Sequence, residues 1–291
     1  MSWEIGVSTG IGYREPIEEV LPAIAANGFR TIEVATARSH IDLKDSARFE
    51  RVREQVDRLG LRVRSLHAPF GQGIDLTDAD AGIRRLSLRV FREAADLLRS
   101  LGGELYVIHP GGEDHNWIWE KQERLGRSVE GLTEVWQICR ERALKLVVET
   151  PLPHLLGGSL EDFSWILARI PSEDTGVCID TSHTSLGGTL FEAVDRFSDR
   201  LVHLQASDNH GKHDDHLPPG DGIIEWPAVL RALERAGYRG IFLFEVGGEG
   251  SPSENLKRLA ATVSKWFPGW QTEPTEEQTE RRNAADRSDR I

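Results

Sequence analysis

Short runs of β-branched, aliphatic and aromatic residues recur along the chain at roughly 25 to 45 residue intervals, the spacing of strand–helix units. They are EIGVS (4–8), TIEVA (31–35), RVRSLH (62–67), ELYVIH (104–109), KLVVET (145–150), GVCID (176–180), LVHLQA (201–206) and IFLFEV (241–246). Between them apolar residues return at helical spacing. Ile17, Val20, Leu21 and Ile24 share one face and stop at Asn27-Gly28, a pair suited to ending a helix. Ile83, Leu86, Val90, Phe91, Ala94, Leu97, Leu98 and Leu101 form a stronger stripe, closed by Gly102-Gly103. The last pattern opens at Ser253, read as its N-cap, and runs through Leu256, Leu259 and Val263 to Trp266. Strands and helices alternating eight times over about 265 residues predict an α/β protein with a single (β/α)₈ barrel across residues 1–268. From Gln271 the apolar periodicity is lost and charges of both signs mix, so residues 269–291 are expected to form a disordered polar tail.

In such a barrel, functional side chains gather at the C-terminal ends of strands. Reading those ends gives Glu33, His67, His109, Glu149, Asp180, Gln205 and Glu245. Side chains on a strand alternate between faces, so Glu149 shares its inward face with Val147, Asp180 with Cys178, and Glu245 with Leu243. Three carboxylates would then converge on the barrel axis. At about 4 Å and an effective dielectric near 20, each pair repels by about 4 kcal/mol. Protons or a cation must offset that. Oxygen ligands beside imidazoles suit Mn²⁺, Mg²⁺, Co²⁺ or Zn²⁺. A carboxylate after a strand is also a common helix N-cap, and single histidines at strand ends are often structural. His203 shares a face with Gln205 one layer deeper, which leaves direct ligation and a supporting role both open. His40, His115, His154, His210 and His213 read as loop histidines, Cys178 as barrel filling, and Trp117 and Trp119 as candidate pocket walls.

Composition narrows the function. The formal net charge of -12 argues against a polyanionic partner, because nucleic-acid binders usually present a basic face. The mouth loops offer Arg14, Arg38, Lys44 and Lys212 against Asp75, Asp78, Asp80, Glu113, Asp114, Asp214, Asp215 and Asp221, an acidic balance for a rim. Polar donors (Ser8, Thr9, Asn116, Thr150, Asn209) in those loops suit a polyol. No apolar run approaches the roughly 20 residues of a membrane span, and MSWEIGVSTG does not read as a signal peptide. Two cysteines in apolar contexts, Cys139 and Cys178, fit a reducing cytoplasm.

The segments SLHAPFG, VIHPGG, VVETP, GVCIDTSHT, DDHLPPGDG and FLFEV together resemble the xylose-isomerase-like TIM-barrel superfamily, over about residues 4–266. That superfamily includes sugar phosphate isomerases and epimerases, endonuclease IV-like AP endonucleases and 3-dehydroshikimate dehydratases. The resemblance implies a divalent-metal site at Glu149, Asp180, Gln205 and Glu245, with Mn²⁺, Mg²⁺ or Co²⁺ favoured and Zn²⁺ as a further option. Gln205 departs from the histidine common at that position and matches the dehydratase branch, which favours a harder cation. The endonuclease branch implies a second metal on His67, His109, His183, Asp214 and His216. The isomerase/epimerase branch implies Glu149 and Glu245 as proton-shuttling groups acting through an enediolate, with His67, His109, His183 and His216 around a small ketose or keto-polyol. That branch is the reading favoured here; the endonuclease and the lyase follow. The number of metals and the oligomeric state, a homo-oligomer included, stay open.

Overall fold

Eight parallel strands close on themselves in chain order, each paired with its sequence neighbours and the last with the first. They are β1 (Glu4–Ser8), β2 (Thr31–Val34), β3 (Arg62–His67), β4 (Leu105–Ile108), β5 (Lys145–Glu149), β6 (Thr175–Asp180), β7 (Leu201–Ala206) and β8 (Ile241–Phe244). The structure is a computed structural model that describes residues 3–71, 73–113, 117–247 and 251–268, with the Trp117 side chain excepted. The expected tail (269–291) and Asp114, His115 and Asn116 lie outside the described residues. Among the described residues, no helix is long and apolar enough to cross a membrane.

The helices around the barrel are α1 (Ile17–Ala26), α2 (Ser46–Arg58), α3 (Ala81–Ser100), α4 (Lys121–Arg140), α5 (Leu160–Leu167), α6 (Thr181–Leu186), α7 (Leu190–Arg196), α8 (Trp226–Arg235) and α9 (Pro252–Trp266). Two of them, α6 and α7, fill the single helical interval expected between β6 and β7. Their apolar faces and the outward faces of the strands make one continuous buried layer. A second, smaller cluster fills the barrel itself: Leu105, Val107, Val147, Cys178, Ile241 and Leu243. Gly6 makes room there, since a Cβ on it would sit 3.0 Å from the side chains of both Ile241 and Leu243. One step up from that cluster, at the same two-residue period, come His109, Glu149, Asp180 and Glu245. The apolar plug is therefore a floor, and polar residues stand on it.

Several expectations shift by a residue or a face. β4 and β8 end before His109 and Glu245, so these two side chains hang from the first loop residue rather than the strand. The stripe on α3 turns away from Leu86, which is 42% exposed. Ser87 is buried instead, and its Oγ both donates to the Ile83 carbonyl and accepts from Asp75 N. That polar anchor fixes the loop after β3, a gain the apolar count did not register. His40 is buried rather than a loop-surface residue. Its ring bridges the Glu15 carbonyl at 2.7 Å and Thr9 Oγ1 at 2.9 Å, tying the loop after β2 to that after β1.

The last helix starts two residues earlier than its apolar pattern implied. Ser251 is the N-cap: its Oγ accepts from Glu254 N while the Glu254 carboxylate accepts from Ser251 N, a full capping box. Ser253 lies inside the first turn. Ser251→Ala is expected to destabilise the fold by about 1 kcal/mol, and Ser253→Ala to be near neutral. Urea unfolding of the two variants checks this, and the reverse order would restore Ser253 as the cap.

Candidate metal centre

Glu149 ends β5 with its carboxylate 1% exposed, in the middle of the mouth. His67, the last residue of β3, brings Nε2 to 2.8 Å from its Oε2. His109 Nε2 stands 3.3 Å from Oε1, and His183 Nδ1 3.4 Å from the same oxygen. Burial alone would raise this carboxyl; the imidazoles of His109 and His67 overcome it and hold the group well below the usual carboxylate range. Burial likewise works against a charged His67, yet the Glu149 carboxylate prevails and lifts it to about 10.

Asp180 closes β6 and serves two roles at once. Its Oδ1 accepts from His183 N at 2.7 Å, capping α6. Its Oδ2 is buried with no hydrogen-bond partner. The N-cap and ligand readings of this residue are thus not exclusive, because one oxygen is committed to each. Burial raises its carboxyl to about 6, against the pull of His183. Glu245 is pushed further, to about 8, again by burial, with His216 and His67 opposing and Glu149 adding repulsion.

Two loop residues complete the cluster. Asp214 Oδ2 accepts from His183 Nε2 at 3.1 Å and lies 2.9 Å from His216 Nε2, and the two imidazoles hold it well below its ordinary range. The other nitrogen of each ring is held by a carbonyl, His183 Nδ1 by Thr150 O at 3.0 Å and His216 Nδ1 by Glu245 O at 3.2 Å. Asp208, two residues past the end of β7, organises the loop that carries them. It is fully buried and accepts from Asn209 N, Gly220 N, Ile224 N and Trp226 Nε1, while its backbone pairs with Leu217.

Beneath this level lies a second polar network. His203 Nε2 is 3.1 Å from both Glu33 Oε2 and Ser65 Oγ, and its Nδ1 is 3.3 Å from Cys178 Sγ. A one-residue irregularity in β7 opposite Val177 and Cys178 sets this register. His203 is therefore fully engaged one layer down. Gln205 sits above it, its Nε2 donating to Glu33 Oε1 and its Oε1 accepting from Cys178 Sγ, each at 3.1 Å. An amide oxygen has two lone pairs, so one remains for a further partner.

Parts of the expected rim are internal. Asp75 is buried, accepting from Thr77 N, Thr77 Oγ1 and Gly112 N beside Arg124, and Asp80 caps α3. Ser8 bonds to Gly10 N, Thr9 to His40 and Ala35 N, and Asn209 to Ser182, so these polar side chains build loops instead of facing a polyol. Trp119 is 88% exposed, and the Trp117 side chain lies outside the described residues. Phe70, passed over in the sequence, packs its ring 5.1 Å from His67 and 5.4 Å from His109 while remaining half-exposed. An aromatic two residues into the sharp turn after His67 was its only signal. Ser65 could have been found by stepping back two positions from His67 along β3.

Do these residues fit a cation? Two groups bring three ligand atoms within 4.8 Å of one another: His67, His109 and Glu149, and Glu149, Asp180 and His183. The unpartnered Asp180 Oδ2 and Asp214 Oδ1 are buried acceptors that call for a positive partner. Oxygen and imidazole donors of this kind suit a divalent metal. They fit. Glu245 joins neither group.

The Xylose isomerase-like TIM barrel family model matches residues 21–268. The chain belongs to this family. It is 27% identical to a probable endonuclease 4 of Akkermansia muciniphila over 205 residues, 69% of this chain and 70% of that one. It is 24% identical to the D-psicose 3-epimerase of Enterocloster bolteae over 237 residues, 78% and 76% of the two chains. The crystal structure of a D-tagatose 3-epimerase-like protein superposes with a TM-score of 0.78 at 24% identity, covering 92% of this chain and 96% of that one.

Metal-free protein should lose stability as pH rises. A folded-state Glu245 at about 8 holds its proton where the unfolded carboxyl has lost it, and His67 at about 10 does the same above pH 6.5. Both make the folded state the greater proton binder between pH 6.5 and 8, so stability falls across that window. Thermal melts of chelator-treated protein check this; a Tm that rises over the same range would contradict it. Asp180→Asn keeps an acceptor for His183 N and removes a buried charge. It should leave the metal-free Tm level or higher while abolishing retention of Mn²⁺ through gel filtration.

Proposed function

We propose that this protein is a divalent-metal-dependent sugar or sugar phosphate isomerase/epimerase that works through an enediolate on a small ketose or keto-polyol. The observation that carries the reading is the grouping at one mouth: the buried Glu149 carboxylate shares a compact set of ligand atoms with Asp180 and His183, and Glu245 follows β8 into the same mouth. Two carboxyl groups beside one substrate carbon can take and return a proton in turn. Glu149, Asp180, Gln205 and Glu245 would hold the cation. When bound, it supplies a Lewis acid that polarises a carbonyl.

Glu149 takes the proton from the carbon beside that carbonyl, and the C–H electron pair passes into the enediolate. The Glu245 carboxyl returns a proton, to the opposite face of the same carbon in epimerisation or to its neighbour in isomerisation. His183 and His216, each fixed by a backbone carbonyl and Asp214, would bind substrate hydroxyls by giving up the Asp214 contact, and His67 and His109 keep Glu149 charged and oriented. Phe70 covers the two imidazoles and limits water there. Similarity to a D-psicose 3-epimerase over most of both chains supports the same reading. The free thiols Cys139 and Cys178, both buried, are consistent with a reducing cytoplasm as its location.

A second reading, a metal-dependent phosphodiesterase, draws on the separate His67, His109 and Glu149 group and on the similarity to a probable endonuclease 4. The two readings part on one experiment. Metal-loaded protein in deuterated water should exchange a carbon-bound proton of a ketose such as D-fructose or D-tagatose. Glu245→Gln and Glu149→Gln should each lower that exchange by about 10² or more. Incision of an abasic duplex at catalytic rates, with no exchange on any ketose, would instead establish the phosphodiesterase.

A further inference from the structure

Glu33 is one of the strand-end residues picked out by the sequence, and the proposed chemistry leaves it without a role. It is fully buried near the end of β2, as are Ser65, Cys178, His203 and Gln205 around it. Its Oε2 accepts from Ser65 Oγ at 2.7 Å and lies 3.1 Å from His203 Nε2. Its Oε1 accepts from Gln205 Nε2, also at 3.1 Å. β2 and β7 stand three steps apart around the closed ring of eight strands, so Glu33 and Gln205 meet across the barrel interior.

The other end of the amide belongs to β6. Gln205 Oε1 accepts from Cys178 Sγ at 3.1 Å, and Gln205 pairs in register with Asp180. Cys178 lies two residues before Asp180 on the same face, so the oxygen rests against the strand that ends in Asp180. Turning the amide over would set two acceptors against each other at Glu33 and bring the NH₂ group to β6. A cation is ligated by the oxygen of an amide and not by its NH₂ group, so the two orientations are not equivalent. Cys178 does not choose between them, because a thiol can donate to the oxygen or accept from the nitrogen. His203 Nδ1, 3.3 Å from the sulfur, leaves it both options. Glu33 makes the choice.

We infer that Glu33 is a positioning residue for the cation site: by accepting from Gln205 Nε2 it keeps Gln205 Oε1 on the Asp180 side, with a lone pair left for the cation. Ser65 and His203 hold Glu33 to that task. The inference rests on the metal-dependent part of the proposed function and not on its sugar.

Calorimetric Mn²⁺ binding to chelator-treated protein tests it as a double-mutant cycle. Glu33→Gln keeps the size of the side chain but can meet either end of the Gln205 amide, so the orientation is released. It should weaken Mn²⁺ binding roughly tenfold or more, the usual effect of losing a group that orients a metal ligand. In a Gln205→Ala background there is no amide to orient, and the same substitution should cost about twofold or less. Glu33 also carries charge. A loss of equal size in both backgrounds would mean that the charge alone matters and would overturn the inference, as would no loss in either. Ser65→Ala, a milder change that loosens Glu33 Oε2, covers the case of a Glu33 variant that does not fold. It should weaken Mn²⁺ binding about threefold beside Gln205 and leave the Gln205→Ala protein unchanged, and equal losses would again overturn the inference. A positive cycle in protein that exchanges no ketose proton upholds the inference and sinks the sugar reading. Ketose exchange with an additive cycle does the opposite, and wild type that binds no Mn²⁺ rejects both.

Discussion

A carboxylate kept ionised inside a barrel is the constraint on which the mouth is built. Glu149 has almost no contact with water, and its charge survives because three imidazoles lie within 3.4 Å of its oxygens. Each imidazole then needs its own second anchor. His67 finds the Ala68 carbonyl and His183 finds Thr150 O and Asp214. Asp214 in turn needs His216, and His216 needs the Glu245 carbonyl. The charge on one strand end thereby dictates side chains on four other segments. Where that balancing thins, at Asp180 and Glu245, burial raises the carboxyls, Asp180 to about 6 and Glu245 to about 8.

The barrel and its circle of strand-end residues could be read from the sequence because both follow short periods. A strand repeats every two residues, so stepping from Val147, Cys178 and Leu243 lands on Glu149, Asp180 and Glu245. Beyond the last strand residue that rule has nothing to count. His40, Asp75 and Asp208 look like ordinary loop residues in sequence, yet all three are buried hubs joining loops that are distant along the chain. Their partners are mostly backbone N–H and C=O groups, which every residue carries, so no residue type marks them. The same blindness exchanged Leu86 for Ser87 on α3 and moved the start of α9 from Ser253 to Ser251.

Relatives named as a D-psicose 3-epimerase and as a probable endonuclease 4 both match this chain over more than two thirds of its length, as expected where a scaffold fixes strand ends and leaves loops free. What distinguishes members must then lie in the charge and shape around the strand ends. Here Glu33, Ser65, His203 and Cys178 are buried and bonded to one another, so differences in chemistry have to be sought above them.

The loop after β7 shows how such differences could accumulate. Asp208 gathers the chain at 209, 220, 224 and 226, while Asp214 and His216 are pinned from the other side by His183 and the Glu245 carbonyl. Residues 210–213 lie between these fastenings and are exposed, with His210 N and Gly211 N held by Asp215 and Asn209. Both ends of the span are anchored, so a side chain exchanged within it would alter the surface of the mouth without moving Asp208, Asp214 or His216. One short loop thereby gives the fold a place to vary that is decoupled from the buried residues beneath it.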